Sequence, residues 1–127
     1  MYESLNEMNF ERRKNPLGAL GIGQEQLIRD WLDEMDIARY INYTINDDYT
    51  IDVDRDVDLF GKNLYEFPKF IQFNNVNGSF YCNKNHLSSL RGCPRYVNGI
   101  FYCNINEIQF TEEYVRSLCV VKGEVYV

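Results

Sequence analysis

The stretch from Val76 to Cys103, VNGSFYCNKNHLSSLRGCPRYVNGIFYC, opens and closes on nearly the same seven residues, 21 positions apart. A chain that spells VNG-x-FYCN twice is building one supersecondary unit twice, and a unit this small buries its apolar face only by stacking on a neighbour. Two more copies follow the same frame. Val121, Gly123, Val125 and Tyr126 repeat it 24 residues after Val97, and the run from Val53 to Leu59 repeats it 23 residues before Val76, with Arg55 in the glycine's place.

Four frames predict four short parallel strands, near residues 55–59, 78–82, 99–103 and 123–127, wound into a right-handed solenoid. Strand alternation then sorts the side chains. Val57, Phe80, Phe101 and Val125 turn into the core, and two columns turn outward: Asp56, Ser79, Ile100 and Glu124, then Asp58, Tyr81, Tyr102 and Tyr126. In register at about 4.8 Å per strand, the second column becomes a ladder of one aspartate and three tyrosines. The glycines at 78, 99 and 123 recur with the frame, which points to backbone geometry or close packing of adjacent coils.

Each frame runs into an asparagine-containing bend and then an apolar residue: FGKNL after Leu59, NKNHL after Cys82, NINEI after Cys103. The fuller form F-x-C-x-x-N-x-L-x-S-L-x-G-C-P-x-x-V-x-G, from Phe80 to Gly99, resembles the leucine-rich repeat, with cysteine and phenylalanine standing where leucine is usual. It looks most like the leucine-rich-repeat-like proteins of large tailed bacteriophages. The front end, WLDEM…YTINDDYTIDV, looks like the segment that precedes such repeats, so the resemblance runs from about Gln24 to the C-terminus. It implies a strand-turn-return architecture whose asparagine bonds exposed backbone, and a phage-encoded protein; it implies little about activity, because the fold hosts many functions.

Ahead of the repeats, Leu27, Ile28, Trp31, Leu32 and Met35 recur at three- and four-residue steps with acids between them, which predicts an amphipathic helix over 24–39. That helix covers the first end of the solenoid, which would otherwise expose its core. Trp31 reads as part of the core stripe or as a partner anchor. The glycine-rich segment from Asn15 to Gly23 reads as a connector. Two β-branched runs around Asn46-Asp47-Asp48 predict a hairpin over 43–51. Late in the chain, Thr111 followed by Glu112 and Glu113 predicts an N-cap and a short helix to about Leu118. The expected fold is α+β: a short leucine-rich-repeat-like solenoid of about four parallel strands (53–127) behind an N-terminal helical cap and β-hairpin (1–52), in one continuous folded domain.

Composition narrows the function. The formal charge of −6 is unevenly placed: residues 1–60 carry 14 acids against 6 bases, and residues 61–127 carry 5 against 7. Direct nucleic-acid binding through phosphates requires clustered Lys and Arg, so it is not expected, whereas a basic protein surface is a suitable partner. No apolar run is long enough for a membrane helix, and the start of the chain lacks the charged-then-apolar order of a secretory signal. Cys82, Cys93, Cys103 and Cys119 lack zinc-ligand spacing. They read as reduced core thiols, with a disulfide framework as the alternative. The expected location is the cytoplasm, of the host if the protein is phage-encoded.

Chemistry has little support in the residues. Asp52, Asp54, Asp56 and Asp58 are spaced like the first ligands of a calcium loop, but Val57 stands where that loop needs glycine and Asn63 where it needs glutamate. A strand with valines on one face and aspartates on the other gives the same period. His86 follows Asn85 in a turn and reads as an exposed repeat variable without an equivalent partner. No nucleophile elbow, phosphate loop or zinc-protease motif is present. The expectation is a protein that is not an enzyme, with no catalytic, cofactor or metal residues. It binds and modulates or inhibits a host protein through Asp54, Asp56, Asp58, Tyr81, Ile100, Tyr102 and Tyr126. Stacked tyrosines also stabilise a sheet while binding nothing, and both readings can hold at once. A second function class is a structural or assembly protein working by strand-edge self-association; the C-terminal edge strand pairs with a second copy in a homodimer or takes a partner's strand, or else is covered by the 111–118 helix or left solvated in a monomer.

Overall fold

A computed structural model describes residues 21–37 and 42–127. Its core is a β-solenoid whose coils each carry two short strands, so the molecule has two sheets where the frames alone predict one. Four strands meet that prediction: β3 (Val57–Asp58), β5 (Phe80–Tyr81), β7 (Phe101–Tyr102) and β9 (Val125–Tyr126) form an all-parallel sheet in that order. Its register pairs Val57 with Phe80, Phe80 with Phe101 and Phe101 with Val125.

The second sheet lies just upstream in every coil. There β2 (Ile51–Val53), β4 (Phe73–Val76), β6 (Tyr96–Val97) and β8 (Val120–Val121) pair in parallel, and β1 (Tyr43–Ile45) adds antiparallel to β2 as the expected hairpin. The valine that opens each frame therefore belongs to one sheet and the apolar residue four places on to the other, with the glycine at the corner between them. This corrects the reading of residues 52–58 as one strand. Asp52 sits in β2, Asp54 and Asp56 in the corner and Asp58 in β3.

The corner requires close approach of successive coils. A Cβ on Gly78 would overlap Asp56 Oδ1 and lie 2.7 Å from the Asp56 nitrogen, and one on Gly99 would lie 2.5 Å from Ser79 Oγ. One on Gly123 would lie 2.5 Å from the Gly99 carbonyl oxygen. None of the three has a positive φ, so these glycines are set by packing and not by conformation.

A second column does use the left-handed region. Gly61, Lys84 and Ile105, at one repeat position, have φ of 60°, 59° and 58°. Close by, Asn85 supplies the backbone bonds expected of the bend: Oδ1 accepts from the N–H groups of Lys62 (3.0 Å) and Leu64 (2.9 Å), and Nδ2 donates to the carbonyl of Leu59 (2.8 Å). Asn106 repeats this one coil later, accepting from Leu87 N–H at 2.9 Å and donating to Cys103 O at 2.9 Å.

The interior between the sheets is a file of aromatic and aliphatic side chains, with Phe67, Phe73, Phe80 and Phe101 all essentially buried. Helix α1 (Gly21–Glu34) buries Leu27, Ile28, Trp31 and Leu32 against it. Trp31 packs edge-on to Phe67 and Phe73, so it is a core residue. The helix starts earlier than expected, taking up Gly21 and Gly23, and ends at Glu34; residues 38 and 39 of the expected span lie outside the described residues. Its end is a Schellman arrangement on a non-glycine residue: Asp36 has φ 62°, Ile37 N–H bonds Leu32 O and Asp36 N–H bonds Asp33 O. Helix α2 (Glu112–Leu118) begins as expected, with Thr111 Oγ1 accepting from Tyr114 N–H at 3.1 Å. All four cysteines are free and buried. Among the described residues, no helix is long and apolar enough to cross a membrane.

Candidate interaction surface

The ladder forms on the outer face of the β3–β9 sheet. Parallel register holds Tyr81, Tyr102 and Tyr126 one strand apart. The rings stack nearly flat, with centroids 4.6 Å apart and 9° between planes for the first pair, and 4.9 Å and 10° for the second. Because the facing rings cover one another, the strip offers solvent mainly ring edges and hydroxyls, with the outer face of Tyr126 at its end. Tyr81 and Tyr102 are half-buried, and Tyr126 is 44 % exposed. Burial, followed by the negative charge of Asp56, raises the Tyr81 phenol above its usual range, and the hydrogen bond from Tyr126 Oη to Glu124 (2.9 Å) raises that of Tyr126. Both therefore stay protonated near neutral pH and serve as hydroxyl donors.

The acidic residues sit at the first end of this face, where alternation predicts them, but they are not merely solvated. Asp56 Oδ1 accepts the N–H of Ser79 at 2.7 Å, and Asp58 Oδ1 accepts that of Phe60 at 3.0 Å. Asp52 Oδ1 accepts from Asn74 Nδ2 (2.8 Å) and Asn75 N–H (3.1 Å) in the other sheet. Three of the four carboxylates thus bond a neighbouring loop or coil while keeping their charge at the surface; Asp54 is exposed at the corner. Ser79 continues the Asp56 column, its Oγ accepting the N–H of Ile100 at 2.9 Å. Ile100 is half-buried above it and packs toward Gly123. Asp58, Tyr81, Tyr102 and Tyr126 accordingly share one sheet face, Asp56 and Ile100 flank it where the chain leaves the corner, and Asp54 lies in the corner.

Sequence reasoning missed a second constellation. His86 Nε2 lies 2.9 Å from Asn63 Oδ1, and its ring stacks on Tyr65 at 4.6 Å. The histidine is therefore held in place, and Asn63 is the residue at its own repeat position one coil earlier. The 23-residue spacing was available in the sequence, but the bend of the first coil disguised it by carrying Lys62 where Asn85 and Asn106 stand. No three His, Cys, Asp or Glu side chains among the described residues are grouped so as to hold a metal ion. Compared with models of protein families, with curated proteins and with solved structures, the chain matches none.

Proposed function

We propose that the chain is a non-enzymatic, leucine-rich-repeat-like binding module, encoded by a large tailed phage, that acts in the host cytoplasm by binding and modulating or inhibiting a host protein. The observation that carries this reading is the ladder: three coils commit the same outward position to tyrosine, and the rings stack into a flat strip ending at an acidic corner. Tyrosine joins apolar area to a hydrogen-bonding tip at low entropic cost, as binding faces require. With ring faces mutually covered, the strip suits an extended or flat partner surface that offers hydrogen-bonding groups along the row. Asp54, Asp56 and Asp58 steer a basic partner to it, so association weakens as salt rises.

Recovery of partners from host lysate by the wild type beside a Tyr81→Ala, Tyr102→Ala double variant, checked by circular dichroism for its fold, tests the proposal. Loss of one specific partner supports it. Recovery of the same partner by the folded variant contradicts it.

A further inference from the structure

Among the described residues both sheets end on the coil formed by β8 and β9, and that coil reads Val120-Val121-Lys122-Gly123-Glu124-Val125-Tyr126, a run that mirrors itself about Gly123. Pairing with the preceding coil uses alternate residues within each strand, and at the corner between them Gly123 N–H donates to the Gly99 carbonyl at 2.9 Å. Val120 and Lys122 donate to Arg95 and Val97 carbonyls (2.8 and 3.0 Å), and the carbonyls of Glu124 and Tyr126 accept from Phe101 and Cys103 (3.0 and 2.9 Å). Strand alternation therefore turns the backbone groups of Val121 and Val125 away from the preceding coil, on the side where α2 lies against β8 and β9. There the Val121 carbonyl is met by Arg116 of α2: Nη1 donates to it at 2.8 Å and Nη2 donates to the Gly123 carbonyl at 3.1 Å, while Nε donates to Glu112 at 2.9 Å.

We propose that this edge takes a second copy of the chain in antiparallel, two-fold register centred on Gly123, and that Arg116 is the gate on it. The coil bends at Gly123, so only an axis through that corner lets both copies bend together and both sheets continue across the joint. In this register Val121 faces Val125 of the second copy, each with its backbone groups turned across the gap, and both side chains lie inward. Val120 faces Tyr126 on the outer side, where they are 58 % and 44 % exposed. Lys122 faces Glu124, an unlike-charge pair that the symmetry makes twice. Ile108, at the repeat position where Leu64 and Leu87 are buried, is 48 % exposed and adds apolar surface for a second copy to cover. Pairing requires the Val121 carbonyl, so the Arg116 guanidinium must leave it. The inference stands without the ladder reading, since it uses the end of the sheets and leaves the Tyr81 and Tyr102 strip open on each copy.

Sedimentation equilibrium of the 127-residue chain, from low- to high-micromolar concentration, tests it. Arg116→Met keeps the side-chain stem and removes the donors, and should tighten the dimer by about tenfold. Lys122→Glu and Glu124→Lys each place like charges opposite one another twice and should weaken it by about tenfold, and mixing the two single variants should restore a heterodimer. Wild type and Arg116→Met both monomeric at the highest concentration, with native circular dichroism, would overturn the proposal. An Arg116→Met dimer no tighter than wild type would overturn the gate. Failure of the mixed charge variants to associate would overturn the register without involving Arg116.

Discussion

The carboxamide oxygen of Asn85 lies 2.9 Å from the amide nitrogen of Leu64, 21 residues earlier, and the same side chain reaches the carbonyl of Leu59 at 2.8 Å. One buried amide thus takes the place of a hydrogen-bonding strand where the chain turns out of the sheet. Asn85→Ala leaves the N–H groups of Lys62 and Leu64 without their acceptor in a site only 6 % exposed. The expected cost is about 3 kcal/mol, read as a lower urea midpoint with an unchanged slope.

The corner glycines should tolerate nothing larger. Gly99→Ala brings a methyl group to 2.5 Å from Ser79 Oγ and 3.0 Å from the Gly78 backbone. Because the strands cannot part without breaking the ladder bonds on both sides, the loss should be about 2 kcal/mol. Gly78→Ala, which meets Asp56 backbone at 2.7 Å, should cost at least as much. Denaturant titration of both variants checks the order.

Ile105 predicts the opposite sign. It is β-branched, 67 % exposed and held at φ 58°, a conformation that asparagine accepts with less strain. Ile105→Asn should therefore stabilise the chain by about 1 kcal/mol, seen as a rise in melting temperature with no change in far-ultraviolet circular dichroism.

The cysteines set the alkaline limit of the fold. Burial pushes the Cys93, Cys103 and Cys119 thiols up to about 12, and holds that of Cys82 well above its ordinary value. A group whose folded pKa is raised contributes stability that is complete below its unfolded value and is lost as pH climbs toward the folded one. With the unfolded thiols ionising near 9, melting temperature should hold below that pH and fall between about 9 and 12. A thiol reagent at neutral pH should react with the four cysteines slowly in the native protein and at once in urea.

The repeat made one sheet legible because alternation of Val57, Phe80 and Phe101 with Asp58, Tyr81 and Tyr102 is visible in the residues themselves. The second sheet was hidden. Its strands are two to four residues long and β4 reads Phe-Asn-Asn-Val, so no run is long enough to show a period. The column through Asp56 and Ser79 was legible, but its hydrogen bonds depend on a corner whose sharpness follows from glycines on neighbouring coils. The left-handed column was illegible for a different reason: Lys84 and Ile105 occupy positions where only Gly61 advertises the conformation. Arg116 could not be assigned from the sequence, because its acceptors Val121 and Gly123 come together only when α2 folds back on the last coil.

In the proposed function the tyrosine strip binds a partner as well as holding its sheet together. Phenylalanine at 81 and 102 keeps the stack and removes the hydroxyls, which separates the two roles. The affinity of a Tyr81→Phe, Tyr102→Phe double variant for the host partner recovered by the wild type, measured by calorimetry beside its melting temperature, decides between them. The expected result is binding weakened by about tenfold or more with melting unchanged. Undiminished affinity in that variant would contradict it.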